Sequence, residues 1–330
     1  MDFVPLPRTS PQIARQRSLP SETNANIGLV FNKFFNCWDR KGDAIAVTQP
    51  MGESGQESGK FSFLNAFAGP VLCEASAVMA ERIAQLAAAR GGRSERFVTT
   101  APMVTGLGLP HPVENGFLWH HTLGVPYLPG SSVKGLMRRW ITSWLGDEDL
   151  EGYGEHAALV NHLFGSDNQA APSTGALVVL DALPVADLSL IVEVVTPHDG
   201  GWRLNENVWP ADWLSPTPIP FLAVGHGAVF QFALASRTAS AENVSIGFEL
   251  LTDALDWLGA GAKTSSGFGR FAESERPLQV GDKAFVAGLG PAGITVVVEG
   301  FDGEVVLCAH AETPTQKYKL DRSRLRRLAS

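Results

Sequence analysis

The fold of this chain is decided at its centre by the stretch PYLPGSSVKGLMRRW, residues Pro126–Trp140. Pro129 and Gly130 interrupt whatever precedes them, and Ser131 or Ser132 offers a side-chain oxygen that can cap the first N–H groups of a helix. Apolar residues then recur three and four positions apart, which predicts an amphipathic helix with one buried face: Val133, Leu136, Met137, Trp140, Ile141 and Trp144. The free N–H groups and the dipole at the start of such a helix favour an anion.

Positive charge lies beside this predicted helix start. Lys134 and Arg138 are four residues apart and share a face, with Gly135 between them. A phosphate at the helix start would lie within reach of Lys134. Two interpretations stay open from this stretch alone, an anion-binding helix start and a core helix with a solvated basic edge.

Composition restricts the class of protein. The 330 residues are 45% apolar, which indicates a folded chain with a sizeable core. Because no apolar run is long enough to span a membrane and the N-terminal segment lacks an apolar signal core, we predict a soluble, cytoplasmic protein. Cys37, Cys73 and Cys308 lack the spacing of a zinc site or a disulfide framework. We therefore predict no metal site and no cofactor.

The charge balance restricts how nucleic acid could bind. A net charge of −8 argues against a chain that binds nucleic acid over its whole surface. Any such site must be local, and the basic residues concentrate in three places: Arg138 with Arg139, Lys263 with Arg270, and the C-terminal run from Lys317 to Arg327.

The chain is predicted to divide into three parts. Residues 1–23 have the Pro- and Arg-rich composition of a flexible arm, and Met51–Lys60 has that of a flexible loop. Residues 24–276 alternate strands with a few helices, at about 71–90 and 246–258, which predicts an α+β domain whose sheet is covered by helices on one face. Residues 277–330 carry short strands between glycine turns, which predicts a small SH3-like β-barrel or β appendage with a basic tail.

A glycine-rich segment, Gly259–Phe271, directly follows the helix predicted at 246–258. Its glycines, including Gly261, Gly267 and Gly269, let the backbone approach another chain, and its donors to phosphate or sugar are Lys263, Thr264, Ser265 and Arg270. The segment resembles the C-terminal signature loop of the RAMP superfamily, the RNA-binding subunits of CRISPR systems.

The resemblance extends from about Asn24 to Phe271, because several short motifs occur in the same order. They are Gly106-Leu107-Gly108, His111–Phe117, Pro126–Gly135, Phe164-Gly165-Ser166, Asp181-Ala182-Leu183-Pro184 and Val195–His198. Within the superfamily this series is similar to the sixth subunit of type III-B (Cmr) effector complexes. The resemblance implies a ferredoxin-like or RRM-like core and a non-catalytic RNA-scaffolding role in antiviral defence, near the 3′ end of the guide RNA.

The resemblance also implies partners and contact residues. The implied partners are the crRNA, the other Cmr subunits (backbone RAMP subunits and the head subunit) and, as an open question, target RNA. The guide sequence would then choose the target. The segments that match RNA-facing elements of the family imply these RNA-binding residues: Gly130, Ser131, Ser132, Lys134, Gly135, Arg138, Gly261, Lys263, Thr264, Ser265, Gly267, Gly269 and Arg270.

Two enzymatic alternatives stay open. Some RAMP relatives cleave RNA, so an endoribonuclease is one alternative. Its general base would be a histidine, namely His111, His120, His121 or His198, and Glu114 is a further candidate residue. The other is a serine hydrolase of the penicillin-binding and β-lactamase type, because three short motifs follow the order of that family: Ser131-x-x-Lys134, Ser166-Asp167-Asn168 and Lys263-Thr264-Ser265. Ser265 stands where that family has glycine, which argues against it.

The tryptophans divide into two groups by their position in the pattern. Trp140 and Trp144 lie on the apolar face of the predicted helix, so we expect both in the core. Trp202 and Trp209 lie in a loop-rich stretch, where they could insert between the bases of single-stranded RNA.

Overall fold

The structure is a computed structural model that describes residues 26–35, 38–41, 44–47, 59–145, 156–166, 172–197, 209, 218–274, 280–281, 283–286, 294–303, 305–311, 313–321 and 325–327. Several predicted features lie outside these residues, among them the arm at 1–23, most of the loop Met51–Lys60, Cys37, Asp167, Asn168, His198 and Trp202.

The helices of the described residues are α1 Ile27–Lys33, α2 Gly59–Asn65, α3 Glu74–Ala88, α4 Gly130–Ser143, α5 His156–Phe164 and α6 Ala241–Asp253. A π-helix, Ala254–Leu258, continues α6, and Thr264–Ser266 forms a single 3-10 turn. The helices predicted at about 71–90 and 246–258 correspond to α3 and to α6 with its π-helical extension. Gly59 and Lys60 open α2, so that end of the predicted flexible loop is helical.

The strands are β1 Trp38–Lys41, β2 Ala44–Val47, β3 Gly69–Val71, β4 Arg93–Thr99, β5 Gly165–Ser166, β6 Ser173–Thr174, β7 Leu177–Val179, β8 Leu183–Pro184, β9 Leu188–Val195, β10 Ile219–Val224, β11 Val229–Ser236, β12 Phe271–Glu273, β13 Lys283–Val286, β14 Ile294–Asp302, β15 Val305–His310, β16 Lys317–Asp321 and β17 Leu325–Arg327.

The main sheet has the order β12-β4-β11-β7, and β8 pairs with the other end of β11. All of its ladders are antiparallel, and Phe230 of β11 lies opposite Phe97 of β4. A second antiparallel sheet has the order β10-β9-β3. The α+β fold class predicted from the sequence is therefore confirmed, whereas its ferredoxin-like detail stays a prediction.

Helices pack on both faces of the main sheet. On one face of β11, Ala233 and Ala235 pack against Ala87 of α3, and the Gln231 amide donates to the Ala80 carbonyl at 2.6 Å. On the other face, Leu234 lies so close to α6 that a Cβ at Gly247 would meet its Cδ1 at 3.0 Å. The prediction of helices on one face only is therefore wrong, because successive side chains of a strand point to opposite faces and both faces of β11 are apolar.

The described residues from Ser274 onward form a compact unit of their own. Their strands make one antiparallel sheet with the order β16-β15-β14-β13-β17, in which the last strand returns to pair with the first. Val286, Val296, Val298, Val306, Cys308 and Leu320 form its buried cluster. Closure of this sheet into a barrel stays a prediction.

Candidate nucleic-acid interface

Helix α4 begins at Gly130 and not at the serines. Pro129 occupies the cap position without a side-chain hydrogen bond, so the expectation that Ser131 or Ser132 caps the helix is wrong. Instead the Gly130 N–H donates to Oδ1 of Asp181 at 2.7 Å. A carboxylate of the protein itself therefore lies at the positive end of the helix dipole, where the sequence predicted a bound anion.

Close packing at the start of α4 explains why Gly130 has no side chain. A Cβ at this position would lie 2.4 Å from the carbonyl oxygen of Val179, which is backbone and cannot move aside. At Gly135, in the same helix, a Cβ would meet no heavy atom within 4 Å beyond the backbone of the helix itself. The two glycines therefore have different roles, since only Gly130 is required by packing.

The faces of α4 divide the predicted contact residues. Val133, Met137, Trp140 and Ile141 are buried, whereas Ser132, Gly135 and Arg139 are exposed on one side of the helix. At about 100° per residue, Lys134 is turned about 140° away from Arg139 around the helix axis. Lys134 and Arg139 therefore face different surroundings.

Hydrogen bonds hold the glycine-rich segment between Gly259 and Arg270. The Ala262 N–H donates to the carbonyl of Val104 at 2.7 Å, and the Gly269 N–H donates to the carbonyl of Pro102 at 2.8 Å. Gly261 (φ +98°) and Gly269 (φ +71°) have left-handed backbones, and a Cβ on either would collide with a carbonyl oxygen at 2.1 and 2.0 Å. This segment is therefore a tightly bonded turn and not the flexible loop that we expect from its composition.

The two segments line one cavity of about 890 Å³. Helix α4 contributes Ser132, Gly135 and Arg139, and the glycine-rich segment contributes Gly261, Thr264, Ser265 and Arg270. The stretch Gly106-Leu107-Gly108 also borders the cavity. Motifs that lie far apart in the sequence thus surround a single space with guanidinium, hydroxyl and backbone groups.

Several predicted contact residues do not line this cavity: Gly130, Ser131, Lys134, Arg138, Lys263, Gly267 and Gly269. Lys263 has a left-handed backbone (φ +58°), and its Nζ lies 5.3 Å from the centre of the Phe221 ring. Arg270 lines the cavity and also donates from Nη1 to the Asp256 carbonyl at 2.9 Å. The glycine-rich segment is thereby hydrogen-bonded to the π-helix.

Several side chains that line the cavity were not among the predicted contact residues, among them Arg139, Trp144 and Trp257. The apolar repeat assigned Trp144 to the core, but α4 ends at Ser143 and Trp144 is 57% exposed. Trp257 is 62% exposed in the π-helix. A π-helix spans an extra residue per turn, so a 3.6-residue repeat could not place it.

The residues suspected of nuclease activity have structural partners. The Nε2 atom of His111 bonds the carbonyl of Phe31 at 2.9 Å, and its ring stacks on Phe31 with centroids 4.4 Å apart. Burial lowers the pKa of His111. Glu114 pairs with Lys60 and has a left-handed backbone (φ +78°).

Burial also lowers the pKa of His120, which lies near Asp181, the carboxylate at the start of α4.

Within the described ranges, no three His, Cys, Asp or Glu side chains group as metal ligands. In the same part of the chain, no helix has the length and apolarity needed to cross a membrane.

Comparison with known proteins shows which proteins this chain is similar to. A curated relative, the CRISPR system Cmr subunit Cmr6 of Pyrococcus furiosus, is 28% identical over 229 residues, which cover 54% of this chain and 67% of the relative. The crystal structure of Cmr6 from Pyrococcus furiosus is 27% identical, with a TM-score of 0.37, over 56% of this chain and 98% of that one. A chain in the cryo-EM structure of the type III-B Cmr-beta complex bound to cognate target RNA is 18% identical, with a TM-score of 0.49, over 66% of this chain and 71% of that one.

The sequence model of the RAMP superfamily matches residues 96–272, which include both segments that line the cavity. The resemblance drawn from the motifs is confirmed by this match and by the Cmr6 relative. Because the match covers more than half of the 330 residues, the chain belongs to the RAMP superfamily.

Proposed function

We propose that this chain is a non-catalytic subunit of a type III-B (Cmr) RNA-guided effector complex and that it holds crRNA by its sugar–phosphate backbone. The observation that carries the proposal is the single cavity lined by α4 and the glycine-rich segment. Membership of the RAMP superfamily and the similarity to Cmr6 support it. The proposal extends to a cytoplasmic location and to the other Cmr subunits as partners.

The groups in the cavity suit an RNA backbone. Arg139 and Arg270 offer planar guanidinium groups, which match phosphate oxygens in two-point hydrogen bonds. Ser132, Thr264 and Ser265 offer hydroxyls to phosphate or to the ribose 2′-hydroxyl. None of these contacts distinguishes one base from another, so the guide sequence would select the target without help from this chain.

Copurification from the native host tests the assembly. A tagged full-length chain is expected to bring down a small RNA of repeat-derived sequence together with several Cmr subunits. Sequencing the RNA and identifying the proteins by mass spectrometry checks this result. Recovery of the chain alone, at a salt concentration that preserves other RNA complexes, would contradict the proposal.

The cavity itself is tested by two arginine variants on neighbouring positions of α4. Arg139 lines the cavity and Arg138 does not, so Arg139→Gln and Arg138→Gln remove the same charge at different places. We expect Arg139→Gln to weaken binding of all RNA sequences about equally and to reduce the salt slope of the affinity by about 0.7. Fluorescence anisotropy with labelled single-stranded RNA over a salt series measures both.

The opposite ranking would place the RNA elsewhere. If Arg138→Gln, Lys134→Ala and Lys263→Ala weaken binding whereas Arg139→Gln does not, the RNA contacts predicted residues that lie outside the cavity. Loss of binding for only one RNA sequence would instead show that bases are read, contrary to the proposal.

The absence of catalysis is a separate prediction. Labelled single-stranded RNA is expected to stay intact with the full-length chain, with and without Mg²⁺ or Mn²⁺, at protein concentrations that saturate binding. The physical reason is that His111 is packed among aromatic rings and Glu114 is paired with Lys60. Cleavage that disappears in Glu114→Gln or His121→Gln would refute the prediction.

A further inference from the structure

Two exposed indoles border the same cavity as the arginines. Trp144 is 57% exposed and Trp257 is 62% exposed, and both line the cavity together with Arg139 and Arg270. Burying an indole is strongly favourable, so exposed tryptophans on one concave surface indicate a ligand that covers them.

Local structure fixes both indoles at the cavity. The ring of Trp144 lies parallel to that of the buried Trp140, with an interplanar angle of 16° and centroids 6.2 Å apart. Its backbone N–H donates to the Trp140 carbonyl at 3.1 Å. Trp140 thus packs on one face of the Trp144 indole and limits its motion before a ligand binds. A ligand on the cavity side therefore costs less side-chain entropy on binding.

Trp257 is positioned by the π-helix Ala254–Leu258. The first two residues of this element, Ala254 and Leu255, are fully buried, and the N–H of Gly259 donates back to the Ala254 carbonyl at 2.9 Å. Relative to an α-helix, the π turn inserts one residue and so changes the direction of the side chains that follow it by about 100°. Trp257 and Leu258 both reach the cavity wall in this arrangement.

The combination of groups identifies the chemistry of the ligand. An apolar protein segment would use the indoles but would leave two guanidinium groups facing it, and a phosphate alone would use the guanidinium groups but not the indoles. Unpaired RNA presents both aromatic base faces and phosphates at short, regular intervals. The cavity volume, about 890 Å³, lies in the range of sites that enclose a small organic ligand, which suits a base with its sugar.

We infer that Trp144 and Trp257 stack on unpaired bases of the RNA whose phosphates contact Arg139 and Arg270. The inference rests on the proposed function and adds to it, since the subunit then holds bases by their faces as well as the backbone by its charge. Every base can stack on an indole, so this contact does not depend on the RNA sequence, as a guide-binding subunit requires.

The test uses the full-length chain and single-stranded RNA that carries 2-aminopurine, whose fluorescence is quenched by stacking. The variants are Trp257→Leu and Trp144→Leu, with Trp257→Phe to retain an aromatic face. Phe301→Leu is the control for removal of an exposed aromatic ring, because Phe301 is 44% exposed and does not line the cavity. Circular dichroism verifies that each variant is folded.

We expect Trp257→Leu to weaken RNA binding about tenfold or more, with the salt slope unchanged and the quenching reduced. Trp257→Phe should restore most of the affinity, and Phe301→Leu should behave as the unaltered chain. Because Trp144 also packs on Trp140, the quenching signal of Trp257→Leu is the deciding measurement.

The outcomes separate this inference from the proposed function. If Arg139→Gln weakens binding but both leucine variants bind and quench as the unaltered chain does, the stacking inference is wrong and the proposed function stands. If the unaltered chain binds no RNA, both are wrong. If the leucine variants lose a copurifying protein while their RNA affinity is unchanged, the indoles contact a protein and the inference is wrong.

Discussion

His111 is held as a neutral ring by its neighbours. The Val113 N–H donates to Nδ1 at 3.3 Å, so Nε2 carries the proton and donates to the carbonyl of Phe31. Phe31 and Phe63 both stack against the ring, with centroids 4.4 and 5.6 Å away. A second proton would break the bond from Val113 and place a charge among these rings, and burial accordingly lowers the pKa of His111.

The predicted consequence is a loss of stability in acid. The ordinary pKa of histidine is 6.5, and the folded value lies below it. As the pH falls below 6.5, His111 becomes protonated in the unfolded chain but stays neutral in the folded chain. The free energy of unfolding therefore decreases until the pH passes the pKa of His111 in the folded chain. Urea unfolding of the unaltered chain and of His111→Gln, at about pH 7.5 and about pH 5.5, measures this difference.

The variant isolates His111 from other acid-sensitive groups. We expect the drop between the two pH values to be smaller in His111→Gln, whereas His226→Gln, at an exposed histidine, should leave the drop unchanged. Equal drops in all three proteins would show that protonation of His111 does not couple to unfolding.

At the same scale, the sequence predicted glycines and donors in both segments, of which only some line the cavity, and it did not predict the cap of α4. Local pattern pointed to Ser131 or Ser132, whereas Asp181, 51 residues further along the chain, accepts from Gly130. A cap delivered by a distant segment leaves no signal in the residues next to the helix.

At the scale of the element, α4 contains a matched pair of glycines that predicts opposite effects on stability. Gly130→Ala places a Cβ against the Val179 carbonyl, and such overpacking costs about 1–3 kcal/mol. Gly135→Ala meets open space inside a helix and should stabilise the protein by about 0.5–1 kcal/mol. Chemical denaturation of both variants measures the two changes, and destabilisation by both would mean that α4 does not begin as described.

Three of the six described helices, α3, α4 and α6, were predicted from the sequence, whereas the shorter helices α1, α2 and α5 were not. The repeat from Val133 to Ile141 matches the buried face of α4. The repeat failed where the backbone left the α-helical geometry, at the end of α4 beside Trp144 and in the π-helix that carries Trp257. Both indoles of the cavity were therefore out of reach of a periodicity argument.

At the scale of the whole molecule, the described residues up to Glu273 and those from Ser274 onward have separate cores. We predict that a chain ending at Ser274 folds, because it keeps β12, whose Phe271 packs on Phe230 and Phe232. Thermal unfolding and the binding of a hydrophobic dye measure the result. Aggregation or strong dye binding would mean that the second unit is integral to the first.

The overall architecture was only partly within reach of the sequence. Strand and helix segments of the main domain predicted its α+β class, but helices on both faces of the sheet were not foreseen. That arrangement depends on the face of the sheet against which each helix packs. Because β11 is apolar on both faces, its sequence does not favour one face over the other. The cavity likewise depends on the meeting of two segments that are distant along the chain.

That distance also sets the order in which the molecule can assemble on the ribosome. Helix α4 and the strand β4 emerge early, whereas the bonds from Ala262 to Val104 and from Gly269 to Pro102 must wait for the last part of the first unit. Contacts between distant segments form late, and domains fold as their chain is completed. A nascent chain therefore has no complete cavity until synthesis has passed Phe271.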